Sequence, residues 1–347
     1  MGDYSEIKKN FPYTSSVGET LEKSETLLNQ SLSKKVSMIK MSNIDLERKK
    51  LADFKKGDKL TLCFLLNREK VSSSPMAGGY RVKYVVSATI LVFDFETLSI
   101  TATFPVSVVI SDFEHTEPSE EQKRKQIRKL FLENVNGLNI FDEFVKRLPE
   151  IKIKEKFSST IGITKVSLLK HATPYFREED KINFAQSFSN YLSKNQNVSI
   201  VPYTKQGHAI EKVMKTKFTG SGKVYELKVR PPDYNIHLII RGFQKKLSRR
   251  VRGREIWIYA SYFRAIVIHP ELEETYFDDK FKFVDVAKII PGSAMVDSYY
   301  YWKITEKLFN GLTKQVSKPT SEWAEEYGYD IDEEKFEKFK KILDDCK

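Results

Sequence analysis

Apolar residues in this chain recur with two periods, near two and near 3.6 residues, and the periods alternate in an order that occurs twice. Pro12-Tyr13 returns as Pro174-Tyr175 and Val36-Ser37 as Val198-Ser199, both 162 positions on. Between these islands Val17, Leu21 and Leu28 keep helical spacing, as do Ile182, Ala185, Phe188 and Leu192. Val36–Ile39 and Val198–Val201 read as short strands, and Ile44–Phe54 and Ala209–Phe218 as second helical stretches. Leu60–Phe64 is then matched by Ile236–Ile240 at offset 176, so the second half holds an insertion of 14 residues. It falls around Thr219–Pro232, where glycines and prolines predict a loop. Strands follow at Tyr84–Phe93 and Ile256–Ile268, then at Ser99–Ile110 and Tyr276–Ile290. Each half closes on a helix containing Lys-Leu-Phe, at Lys129–Phe131 and Lys307–Phe309.

This order predicts an α+β protein of two similar domains in tandem. Each is a mostly antiparallel sheet with helices packed on one face. The expected bounds are 1–150, with a degenerate start, and 151–316, opened by a strand at Ile163–His171. Its counterpart at Met1–Lys9 is polar and poorly patterned. Pro319 ends the closing helix, and 317–347 reads as a C-terminal helical tail. There Asp332–Cys346 places Phe336, Phe339, Ile342 and Leu343 on one face, which predicts a helix docked by that stripe.

Composition narrows the picture slightly. At 40% hydrophobic and 30% charged residues the chain is ordinary for a globular protein. The longest uncharged apolar stretch, Tyr84–Phe93, is far below the roughly 18–20 residues that span a bilayer, so no transmembrane segment is expected. Met1–Glu6 has no apolar run and therefore no signal peptide. Either a cytoplasmic protein or one whose export segment has been removed fits that start. Cys63 lies in an apolar run and reads as a buried free thiol, and Cys346 is next to last. The formal charge of +11 favours anionic partners. The tail holds 10 acidic and 6 basic residues, a net −4 that could fold over a basic loop.

Catalytic constellations do not emerge. The histidines at 115, 171, 208, 237 and 269 share no metal-ligand spacing, although His237 and His269 could meet across strands. Gly220–Lys223 resembles the end of a phosphate-binding loop but lacks its first glycine and its Ser or Thr. Asp278-Asp279 reads as a turn. No metal or cofactor is expected. The stretch Arg241–Arg254 stands out, with seven cations in 14 residues and no acid. Arg241, Lys245, Lys246, Arg249, Arg250, Arg252 and Arg254 would sit in the connection between two antiparallel strands. Such self-repulsion suits an anionic partner, and Arg in particular suits phosphate or carboxylate. It equally suits a solvated edge that discourages aggregation. The corresponding stretch of the first half, Arg68–Arg81, is rich in Ser and Gly.

The second half, Gly162–Val316, resembles the envelope-lipoprotein domain shared by the curli-secretion lipoprotein, the penicillin-binding-protein activator lipoprotein and the amino-terminal domain of TolB. The resemblance rests on the opening strand Val166–Leu169, the apolar face of the FAQSFSNYL helix, Val198–Val201, and the strand Ile236–Gly242 followed by a long hairpin. The first half follows the same order more loosely, and the chain has no lipobox cysteine near its start. The resemblance implies a non-enzymatic, periplasmic adaptor acting through protein–protein contacts with another envelope protein or anionic surface. A cytoplasmic nucleic-acid-binding protein is the alternative, with Phe243, Trp257 and Tyr259 as stacking partners beside the basic hairpin.

Overall fold

The computed structural model describes residues 11–39, 60–76, 78–151, 159–203, 212–217, 224–291, 297–327 and 332–347. The chain divides into two compact units, the first comprising residues 1–73, 78–153 and 211–230, the second residues 74–77, 154–210 and 231–347. Each is built on a mixed sheet with a meander of three long strands.

In the first unit the meander is β1 (Leu60–Met76), β2 (Gly79–Asp94) and β3 (Ser99–Glu114). Val82, Tyr84, Val86, Ala88, Ile90 and Val92 alternate along β2 and pack with Ile127, Leu130 and Phe131 of α2 (Glu120–Leu132) and Phe141 and Phe144 of α3 (Ile140–Arg147). Before the meander lies α1 (Leu21–Val36), N-capped by Thr20. Val36 ends this helix and residues 37–39 turn, so the strand expected at Val36–Ile39 is not formed. The stretches expected at Met1–Lys9 and Ile44–Phe54 lie outside the described residues.

The insertion around 219–232, expected to be a loop, holds a strand at Val224–Val229. β6 (Lys212–Lys217) pairs antiparallel with β7 (Val224–Val229), and β7 joins the edge of β3 in parallel, Ser99 opposite Lys228. The helix expected over Ala209–Phe218 is therefore a strand from Lys212. Its hydrogen bonds come from β7, a partner that helical spacing does not reveal. Leu227 of β7 buries against Leu91 and Phe93 of β2, on the sheet face opposite the helices. The Gly220–Lys223 motif lies outside the described residues.

The second unit orders its sheet β10-β9-β8-β4-β5. β4 (Ile161–His171) runs parallel to β8 (Tyr234–Val251) and to the two-residue β5 (Ile200–Val201), while β8, β9 (Arg254–His269) and β10 (Glu274–Ile289) form the meander. α4 (Asp180–Gln196) and α5 (Asp297–Gln315) cover one face. Leu60 and Ile236 thus both lie at the start of a first meander strand. The repeat extends to the turns. Four residues join Asp94 to Ser99 and His269 to Glu274, and the last of each four is left-handed, Leu98 at φ 54° and Glu273 at φ 51°. Asp278 and Asp279 are strand residues of β10, not a turn.

The tail is part of the second core. α6 (Ser321–Tyr327) and α7 (Glu333–Asp345), the latter N-capped by Asp332, lie on the inner face of β10. Phe277 meets Phe336 and Phe339 at ring distances of 5.4 and 5.0 Å, and Phe283 meets Tyr327 at 5.0 Å. Acids of α7 pair with its own lysines, Glu334 with Lys338 and Glu337 with Lys340. Removing the tail would strip a core rather than uncover a basic loop. Phe339→Ala should lower the unfolding free energy by about 3–5 kcal/mol in denaturant titration. A loss below about 1 kcal/mol would show that α7 is only a surface appendage.

Candidate functional site

The basic stretch is strand, not loop. β8 runs through it to Val251, which pairs with Arg254, leaving a two-residue turn. Arg252 at φ 49° and Gly253 at φ 72° supply the two positive φ values of a type I′ turn, whose twist matches that of the strands it joins. Two bulges decide where each side chain points. The first, between Ile240 and Gly242, shifts the alternation so that Phe243 turns into the core against Tyr301, ring centroids 4.7 Å apart. A side chain at Gly242 would meet the Cβ of His171 at 2.6 Å, so the bulge needs glycine there. The second bulge lies between Leu247 and Arg249.

After these shifts the cations separate by face. On the helix side Lys245 pairs with Asp297 at the start of α5 and lies 5.3 Å from the Trp257 ring. Arg250 donates to Glu255 at 3.0 Å, and the Trp257 indole donates to the same carboxylate at 2.9 Å. The indole and the guanidinium together hold the Glu255 carboxyl below the usual carboxylate range. Lys246 and Arg249 point to the helix-free face, as does Arg254. Arg252 is at the turn. These four are exposed and make no ion pair among the described residues. Arg241 is half-buried beside the first bulge. Seven predicted site residues therefore resolve into two neutralised cations, one at the base, and four available at the end.

The stacking residues fare differently. Phe243 and Tyr259 are core residues, 6% and 2% exposed. Tyr259 stacks on Tyr300 and donates to Asp297 at 3.0 Å. Trp257 is half-buried and held by Glu255 and Lys245. None presents a free ring to a base, because inward alternation along β9 places residues 257 and 259 on the helix side.

Across the helix-free face lies a polar cluster that spacing alone did not reveal. Ser167 of β4 and the Nε2 of His237 of β8 are 3.0 Å apart, with Lys165 and Arg264 nearby. Arg264 of β9 forms a two-pronged pair with Asp278 of β10. His269 instead stacks edge-on against Tyr234 at 5.2 Å, so the two strand histidines do not form a pair. Ser and His at hydrogen-bond distance suit nucleophilic catalysis when a third group orients the imidazole. No carboxylate contacts His237 among the described hydrogen bonds, and Asp278 is engaged by Arg264. Elsewhere, neither cysteine is in a disulfide, and burial pushes the Cys63 thiol up to about 12, far from a reactive thiolate. No group of three or more His, Cys, Asp or Glu placed to hold a metal occurs among the described residues. No described helix is long and apolar enough to cross a membrane.

Burial first, then Lys165 and Arg264, lowers His237 from 6.5 to about 4. The unfolded chain then binds a proton between these values that the folded chain does not. Stability should fall as pH drops from about 6.5 towards 4, by less than the full linkage value because the ring is half in solvent. His237→Gln should remove that component from the pH dependence of thermal melting. Identical pH profiles for the two proteins would contradict the assignment.

No protein-family model matches this sequence, and no curated protein matches it. Among solved structures, protein XCC0632 from Xanthomonas campestris, described under the family model DUF330, is similar at 11% identity and a TM-score of 0.22. That match covers 46% of this chain and 82% of the other.

Proposed function

We propose that this protein is a non-enzymatic adaptor that binds an acidic surface of another protein through the end of the β8–β9 hairpin. Its place would be the cell envelope, as the resemblance to the TolB and curli-secretion domains implies. The observation that carries the binding role is the division of cations along the hairpin. Lys245 and Arg250 are spent on internal carboxylates, whereas Lys246, Arg249, Arg252 and Arg254 remain exposed without one. A structural edge needs only scattered charge to discourage pairing. Four like charges gathered at one end cost self-repulsion that an acidic partner offsets. A nucleic acid would have to be held through phosphates alone, since Phe243 and Tyr259 are buried in the core.

The triple variant R249E/R252E/R254E leaves both internal pairs intact and should keep the wild-type melting temperature, since exposed charges rarely shift stability by more than about 0.5 kcal/mol each. A photo-crosslinker placed at residue 252 in cells should capture a discrete protein, and charge reversal at 249 and 254 should abolish capture. Crosslinks to nucleic acid alone, or a protein crosslink indifferent to the reversals, would overturn the proposal. Nucleic-acid binding would also weaken with salt at a log–log slope near −0.9 per phosphate neutralised.

A further inference from the structure

The hairpin end continues into a face whose chemistry is more specific than its charge. Along β9 the odd residues from Glu255 to Val267 face the helices and the even ones face away. Ser261 bonds Thr305 of α5 on the helix side, while Tyr262 donates to Gln244 on the other. β10 keeps the same alternation, with Phe277, Phe281 and Phe283 inward and Lys280, Lys282, Val284, Val286 and Lys288 outward.

Ion pairing differs sharply between the two faces. On the helix side Lys245 meets Asp297, and Lys303 and Lys307 meet Asp285. On the open face Lys246, Arg249, Arg254, Lys282 and Lys288 are exposed and make no ion pair among the described residues. The one acid of β10 that points there, Asp278, is neutralised by Arg264. Between these cations lies apolar surface. Ile256 and Ile258 of β9 are half-buried, and beside them Val286 and Val284 of β10 are 56% and 38% exposed. Register fixes this pattern. Ile258 lies between Lys246 and Val286, and Ile256 between Arg249 and Lys288.

We infer that this open face binds an acidic amphipathic helix of a partner protein, laid along β9. The inference rests on the proposed protein-binding role and names the partner's chemistry. An apolar centre within a charged rim is the anatomy of a protein interface. A duplex backbone would use the cations and leave Val284 and Val286 idle. A bilayer would need apolar side chains that stand proud of their neighbours, whereas these valines sit between the longer Lys282 and Lys288. From Ile256 to Tyr262 the strip is about 20 Å long, the length of a helix of about 14 residues. Apolar side chains at the i, i+3, i+4 and i+7 positions of such a helix would meet the strip, and flanking carboxylates would meet Lys246 and Arg249 on one side and Lys282 and Lys288 on the other.

The test uses the full chain and a labelled 16-residue peptide with Leu at those spacings and Glu elsewhere, followed by fluorescence anisotropy. A scrambled peptide of the same composition, a 20-base-pair duplex and vesicles rich in phosphatidylserine serve as competing probes. The patterned peptide should bind more tightly than the scrambled one. V284E/V286E should weaken it at least about tenfold with melting unchanged, as expected for central interface positions. V284S/V286S should weaken it less, and K314E/K318E, which changes charge away from this face, should have no effect. Equal binding of patterned and scrambled peptides, no binding of either, or indifference to V284E/V286E would overturn the inference. Stronger binding of duplex or vesicles than of peptide would do the same. If R249E/R254E abolishes the cellular crosslink at residue 252 while V284E/V286E leaves peptide affinity unchanged, the hairpin role stands and the sheet-face role fails.

Discussion

The aromatic layer between the β8–β10 meander and its helices constrains nearly everything else in the second unit. Phe263 stacks on Phe281 at 5.1 Å and meets Phe309 of α5 at 5.2 Å, while Phe277 receives Phe339 from the tail at 5.0 Å. Because strand side chains alternate with period two, burying these rings sends every intervening residue of β9 and β10 to the opposite face. The exposed lysines and valines of that face thus follow from the same register that fills the core. A one-residue slip would exchange the two sets, burying Lys280 and Lys282 and exposing Phe281 and Phe283, at a cost the fold could not sustain. Specificity of register and presentation of the open face are one property.

The strands of both meanders were legible because their periodicity is strong and their runs are long. Tyr84–Phe93, Ser99–Ile110 and Ile256–Ile268 each lie within an observed strand, and Tyr276–Ile290 overruns its strand by one residue. The helices that hold Lys129–Phe131 and Lys307–Phe309 were legible through that shared Lys-Leu-Phe, as was the stripe of Phe336, Phe339, Ile342 and Leu343, but Ile140–Arg147, a further helix after the first of them, was not expected. What failed was non-local pairing. Lys212–Lys217 lies in a stretch whose spacing suggested a helix and is a strand because Val224–Val229 pairs with it and then returns to β3, over 100 residues earlier in the chain. Nothing local records that partnership. Val36 failed for the opposite reason, since a β-branched residue that would suit a strand sits at the end of a capped helix.

The candidate site divides in the same way. Charge density marked Arg241–Arg254 as a basic stretch, since counting needs no structure, but the connection expected there is strand up to a two-residue turn. Which cations are free depends on two bulges and on carboxylates at Glu255 and Asp297, and neither follows from counting. The bulge at Ile240–Gly242 turns Phe243 inward and so removes a stacking ring from the surface. Ser167 and His237 are 70 residues apart and meet only because β4 lies parallel to β8. Their contact shows how sheet pairing brings together groups that sequence spacing keeps apart.

The two faces of one sheet therefore differ in whether their cations are already satisfied, and the proposed binding role falls to the open face. Lysine-selective labelling read by mass spectrometry tests this most directly, comparing the full chain alone and saturated with the patterned acidic peptide. The account predicts protection of Lys246, Lys282 and Lys288 with Lys303, Lys307 and Lys314 unchanged. Uniform protection across both faces, or protection confined to the helix side, would contradict it.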